Sequence, residues 1–209
     1  MDDIALYREV LEITRPWRVD KVELHKETSE VHVHVEWRPD TRFRCPECGK
    51  DCPGTQTRRW RHLDTCQYQT ILVAEVPRVQ CSEHGVHQVP VPWSEPNSRF
   101  TALFESQVIG WLKEEASISA VSRRLGLDWS TTAAIMERAV ERGIARRSAS
   151  APRRIGVDET LTNAGSEAMN TKIQHVKRIA RGLRNPRRLR MAILFHCGGL
   201  DLYPDGVEA

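Results

Sequence analysis

Cys45-Pro-Glu-Cys48-Gly49, answered further along by Cys81-Ser-Glu-His84, constrains this chain more than any other feature. Each hook carries two ligand-type side chains separated by two residues, and four N/S donors so paired suit tetrahedral Zn²⁺. Pro46 stiffens the first hook. Gly49 permits the tight turn that points backbone amides at the thiolates. The expected structural ligands are Cys45, Cys48, Cys81 and His84. His87 competes with His84, and Cys52 is a possible replacement; the repeated two-residue gap favours His84. Cys52 and Cys66 are otherwise spare and read as structural thiols.

Six cysteines accompany an acidic start, Met1-Asp2-Asp3, that lacks a signal-peptide pattern. They read as metal ligands or free thiols rather than as a disulfide framework. No apolar run approaches the length needed to span a bilayer. The expectation is a cytoplasmic protein with no membrane partner.

Net charge is only +3, but it is unevenly spread. Residues 1–40 carry ten acidic and six basic side chains, whereas residues 166–196 carry eight Lys/Arg against Glu167 alone. Eight arginines between 116 and 154 face only Asp128, Glu137 and Glu141. A polyanion partner would therefore meet the C-terminal two-thirds.

The local patterns predict an α+β chain in four pieces. Residues 1–40 hold a helix with Leu6, Val10 and Ile13 on its apolar face, then a β-hairpin. In the hairpin Val31, Val33, Val35 and Trp37 alternate with His32, His34 and Glu36. That alternation places His32 and His34 on a polar strand face rather than in a metal site. Residues 41–95 read as a zinc ribbon, with a strand-like segment Tyr68–Val76, after which Arg78-Val-Gln-Cys81 leads into the second hook.

Residues 98–147 read as three helices. The first has an apolar face of Phe100, Phe104, Val108, Trp111 and Leu112. The second is capped by Ser117 and ended by Gly126, and the third is capped by Asp128. This is the helix-turn-helix pattern, whose last helix enters a major groove of double-stranded DNA. Ser130, Thr131 and Thr132 would approach base edges; Arg123, Arg124, Arg138 and Arg142 would meet phosphates. Residues 153–209 form the fourth piece.

These segments, with Val91-Pro-Trp93, Phe100-Thr-Ala-Leu-Phe104-Glu and Gly126-Leu-Asp-Trp-Ser130, resemble the ISL-three family of bacterial insertion-sequence transposases. The likeness runs from Arg44 to the C-terminus. It implies binding to transposon ends and an RNase-H-like domain with an Asp, Asp, Glu triad. By position, Asp158 of Ile155-Gly-Val-Asp158-Glu159 matches the first catalytic carboxylate. Glu167 of Asn163-Ala-Gly-Ser-Glu167 matches the last.

Only eight residues separate Asp158 from Glu167, where the family has a long stretch containing the second aspartate. Two-metal cleavage needs ions about 3.5–4 Å apart on a rigid frame. Reach is adequate at about 3.3 Å per residue; rigidity and ligand number are not. The expectation is a DNA-binding remnant of the transposase domain with a vestigial Asp158/Glu167 pair, needing Mg²⁺ only if catalysis survives. The alternatives are an active metal-dependent transposase, or an interaction module that binds full-length transposase or pairs as a homodimer.

Overall fold

The computed structural model describes residues 2–38, 41, 45, 48–49, 55–81, 83–115, 117–147, 164–179 and 185–207. The fold is mixed α+β. It divides into two compact units, Met1–Phe104 and Glu105–Ala209, the first carrying all the described strands.

In the first unit α1 (Asp3–Val10) starts where the Asp2 carboxylate accepts from the Ala5 amide at 2.7 Å. That bond satisfies an otherwise orphan helix donor. Tyr7 is buried, followed by Leu11 and Ile13, whereas Leu6 and Val10 are exposed. The apolar face expected at Leu6 and Val10 is thus rotated. The Tyr7 hydroxyl donates to Thr65 Oγ1 at 2.9 Å, so the tyrosine face turns inward.

β1 (Trp17–His25) and β2 (Glu30–Trp37) form the antiparallel hairpin expected from their alternation. The next strands are β3 (Thr55–Arg61), β4 (Gln69–Cys81) and β5 (Gly85–Gln88). They do not stand apart from the hairpin. β2 pairs in parallel with β4, from Glu30↔Gln69 to Val35↔Ala74, and β3 lies on the other side of β4. The cause is burial: Val31, Val33 and Val35 need an apolar partner, and they share one core with Trp60, Leu72, Ala74 and Val76. Each valine or leucine among them contributes about 1.5–3 kcal/mol when fully buried. Trp93 closes this core edge-on, 4.9 Å from Trp17 and 5.5 Å from Trp60 between ring centroids.

β4 runs beyond the expected strand-like segment Tyr68–Val76, as far as Cys81. Pro77 lies inside it, at the end of the β3 ladder and just before the β5 ladder begins at Arg78. Its missing N–H is tolerated at such a change of partner, and its carbonyl accepts from Val89 at 3.2 Å.

His62, just after β3, is 4% exposed and its Nδ1 lies 2.9 Å from Thr101 Oγ1. Burial, aided by the neighbouring Arg61 charge, pushes its pKa down to about 4. The folded state therefore holds neutral imidazole while the unfolded chain protonates near pH 6.5. Stability from this group is complete above that pH and is lost as pH falls toward about 4. The loss amounts to about 3 kcal/mol. Denaturant titrations at about pH 7 and about pH 4.5 should show a smaller pH-dependent loss for His62→Gln than for the parent. Equal losses in the two proteins would refute this assignment.

The second unit contains most of α2 (Ala102–Glu115), then α3 (Ile118–Leu125), α4 (Trp129–Arg146), α5 (Ala164–Ile179) and α6 (Pro186–Cys197). Val108, Ile109, Leu112, Val121, Ile135, Ala139 and Val140 are fully buried. α6 packs against both α4 and α5, burying Ala192 and Phe195. The segment after α6 crosses α4 at Gly143, where a Cβ would sit 2.7 Å from the Leu200 Cβ. Any larger residue would push that segment away. Among the described residues from 164 onward there is no strand. Asp158 lies outside the described residues, as does the side chain of Glu167 on α5.

Candidate functional site

The first site is built by the end of β4 and the first hook. β4 delivers Cys81, and the tight return into β5, where Cys81 pairs with Gly85, places His84 beside it. In the first hook the Gly49 amide donates to the Cys45 carbonyl at 2.9 Å, curling the chain so that Cys45 and Cys48 face the same point. The four donor atoms of Cys45, Cys48, Cys81 and His84 all lie within 4.8 Å of one another. Cys48 Sγ is 3.5 Å from Cys81 Sγ, and His84 Nδ1 is 3.6 Å from Cys81 Sγ and 3.9 Å from Cys45 Sγ.

A tetrahedron with Zn–S of about 2.3 Å and Zn–N of about 2.0–2.1 Å has edges of about 3.5–3.8 Å. The Cys48–Cys81 and Cys81–His84 spacings fall on those edges, the Cys45–His84 spacing is 3.9 Å, and all four donors stay within 4.8 Å of one another. These spacings are far too long for a disulfide, whose sulfurs lie about 2.05 Å apart. The backbone N–H groups of Glu83 and His84, then the His84 side chain and Cys48, hold the Cys81 thiol at about 6 against burial, well below its usual range. Thiolate is the ligand form, so this environment favours a bound cation. Cys66 is exposed and outside the cluster. Cys52 lies outside the described residues, as does the His87 side chain.

The second site is the pair α3–α4. Ser117 caps α3 by accepting from the Ala120 amide at 3.4 Å. Gly126 ends it in the left-handed conformation, φ 62°, as a tight turn between two helices requires. Asp128 occupies the N-cap position of α4 but makes no side-chain cap bond.

The turn is locked from inside instead. The Ser122 hydroxyl donates to Thr132 Oγ1 at 2.9 Å, and Thr132 Oγ1 donates to the Asp128 carbonyl at 3.3 Å. Thr132, expected at base edges, is 0% exposed and serves this lock. Ser130 is exposed and Thr131 half-buried at the start of α4.

The arginines separate in the same way. Arg123 and Arg124 are exposed on the last turn of α3, with Arg124 lying 4.1 Å over the Trp111 ring. Arg142, expected at a phosphate, turns inward to Glu105 on α2 at 3.3 Å, and Arg138, also expected there and still partly exposed, pairs with the same carboxylate at 2.5 Å. Glu105 is 1% exposed, and Arg142 also donates to the Leu202 carbonyl. The carboxylate therefore ties the brace helix to α4. Sequence reading missed Glu105 and Ser122 because each lies among apolar neighbours at ordinary helical spacing. The signal present was a lone acid within a strongly apolar stretch of helix.

Residues 89–140 match the helix-turn-helix domain of transposase family ISL3. Residues 41–84 match the zinc-finger of transposase IS204/IS1001/IS1096/IS1165, and residues 154–193 a transposase domain. The transposases for insertion sequence element IS1557 of two Mycobacterium tuberculosis strains, CDC 1551 / Oshkosh and ATCC 25618 / H37Rv, are similar to this chain. Each is 31% identical over 186 residues, covering 84% of this chain and 41% of the relative. The chain thus spans about two-fifths of the length of these curated relatives. No solved structure matches. With the zinc-finger, helix-turn-helix and transposase segments following one another in a single chain, the protein belongs to the ISL3 family of transposases.

Proposed function

We propose that this chain binds double-stranded DNA of transposon ends through α3 and α4, carries a structural Zn²⁺ on Cys45, Cys48, Cys81 and His84, and does not cut or join strands. The observation that carries the reading is the buried Ser122–Thr132 lock, which fixes α4 against α3 while leaving Ser130 at the exposed start of the helix. A groove-reading helix needs that combination of rigid seating and free leading edge. Ser130 and Thr131 are the base-edge candidates and Arg123 and Arg124 the phosphate candidates. Arg142 and Thr132 support the helix from within, and Arg138, partly exposed, pairs with the buried Glu105.

The absence of cutting rests on sequence spacing. Asp158 and Glu167 are the vestigial carboxylates of the resemblance. A transition state held by two metal ions loses about a hundredfold for a misplacement on the order of 1 Å. Two acids without the intervening segment cannot hold ions to that tolerance.

Binding to an inverted-repeat end and to an unrelated duplex, measured across salt concentrations with and without Mg²⁺, tests the proposal. The expected result is salt-dependent binding with a preference for the end sequence and no nicking. Thr131→Ala should narrow that preference, whereas Thr132→Ala should lower the melting temperature by removing a buried hydrogen bond with a net worth of about 0.5–1.5 kcal/mol. Mg²⁺-dependent nicking that vanishes in both Asp158→Ala and Glu167→Ala would restore an active transposase. Binding to full-length transposase without binding to DNA would leave an interaction module.

A further inference from the structure

The α4 arginines expected at phosphates are already engaged by acids. Arg138 and Arg142 are held by the buried Glu105. Arg146 is bound by Asp201 at 2.9 Å, by Asp205 at 2.5 Å and by the Tyr203 carbonyl at 2.6 Å. The exposed face of α4 carries Ser130, Ala134, Glu141, Ile144 and Ala145, and the charge on it is negative. Such a face would approach a phosphate backbone poorly unaided.

α6 supplies what α4 lacks. Its sequence, Pro186-Arg-Arg-Leu-Arg-Met-Ala-Ile-Leu-Phe-His-Cys197, contains three arginines and no acid. Asn185 caps it by accepting from the Arg187 amide at 2.9 Å, so the arginines start on a rigid helix rather than a loop. Arg188 lies on the same side as the buried Ala192 and Phe195, four and seven residues on, and extends that contact to α4. Its guanidinium sits 4.9 Å over the ring of Trp129, the first residue of α4. Arg187 reaches within 3.8 Å of Glu141, offsetting the acid on the exposed face. Arg190, three residues from Arg187, is exposed as well.

We infer that Arg187, Arg188 and Arg190 form a phosphate-contacting edge beside the start of α4, so that the helix left from the transposase segment is part of the DNA-binding surface. The inference rests on the DNA-binding reading above and adds a surface to it. The edge recognises the backbone alone. It adds affinity without sequence preference, because a guanidinium beside a phosphate carries no information about the base. Arg188 also holds its place by cation–π contact with Trp129, which keeps the edge in register with the groove-reading residues.

The test uses the full zinc-loaded chain with an end-sequence duplex and an unrelated duplex, titrated between about 50 and 200 mM salt. Replacing all three arginines by alanine should flatten the plot of log affinity against log salt by about 0.9 for each phosphate no longer neutralised. The parent would then lose about 40-fold more affinity over that salt range than the variant, equally on both duplexes. The triple lysine variant keeps the charge and should recover the slope, and thermal melts of all three proteins should agree within a few degrees. A parent that binds DNA while the alanine variant keeps its slope and affinity overturns this edge and leaves the DNA-binding reading standing. Loss of binding that lysine does not restore assigns the arginines to structure and also overturns it. A parent with no salt-dependent binding to either duplex removes both readings together.

Discussion

Removing the metal, by chelation or by Cys81→Ser, is expected to unfold the hook and the β4–β5 return while leaving the hairpin core in place. Among the described residues the apolar group at the site is small: Cys45 and Cys81 are buried, with Cys48 and Val89 packed against them. A cluster of that size cannot offset the backbone entropy of ordering the hook and return, about 1–2 kcal/mol per residue. Metal binding can, since structural Zn²⁺ contributes about 10–16 kcal/mol in zinc-finger peptides near neutral pH.

The Trp17, Trp60 and Trp93 core contains none of those ligands and meets the metal site at Val89. Hydrogen exchange should therefore report that amides at Val86–Gln88 and Arg78–Cys81 become unprotected while those at Val31–Val35 stay protected. Metal analysis of the parent should give one Zn²⁺ per chain. Protein isolated without chelator that carries no zinc, or whose exchange pattern ignores chelation, would refute the metal assignment. Zinc retained at full affinity by His84→Ala would move the fourth ligand to His87 or Cys52.

The second large effect is expected at Glu105. Its substitution by alanine leaves Arg138 and Arg142 without the carboxylate that pairs with both, and the Arg142 side chain is only 10% exposed. Breaking a buried ion pair from one side costs about 3–5 kcal/mol, far more than the pair contributes over an apolar replacement. For a chain of this size that corresponds to a fall of about 10 °C in the melting of the helical unit. Glu105→Gln keeps an acceptor for one arginine and should fall between the two. DNA affinity of Glu105→Ala, measured well below its melting temperature, should drop on all sequences together because the seating of α4 is loosened. A melting temperature within about 2 °C of the parent, an effect under about 1 kcal/mol, would show that the carboxylate does not brace α4.

The sequence by itself determined what depends on near neighbours along the chain. The two-residue gaps of Cys45/Cys48 and Cys81/His84 fix each hook, because such gaps let one turn present two donors to one ion. Ser117 and Gly126 mark the limits of α3 because capping and left-handed geometry are local. The alternation of Val31, Val33 and Val35 fixes which face of β2 is buried.

What only the tertiary structure decided depends on residues far apart in the chain. Periodicity says that a helix or strand has an apolar face but not which element will cover it. Only the folded chain sets β2 in parallel beside β4, turns Tyr7 inward in place of Leu6, and closes the four metal donors together from segments 33 residues apart at their nearest. The same limit applies to charge. Arg138 and Arg142 are indistinguishable in sequence from arginines at phosphates until Glu105, 33 and 37 residues earlier, is seen to hold them. A buried carboxylate competes for a guanidinium at a distance that no local pattern records, and that competition moves the basic surface from α4 to its neighbours.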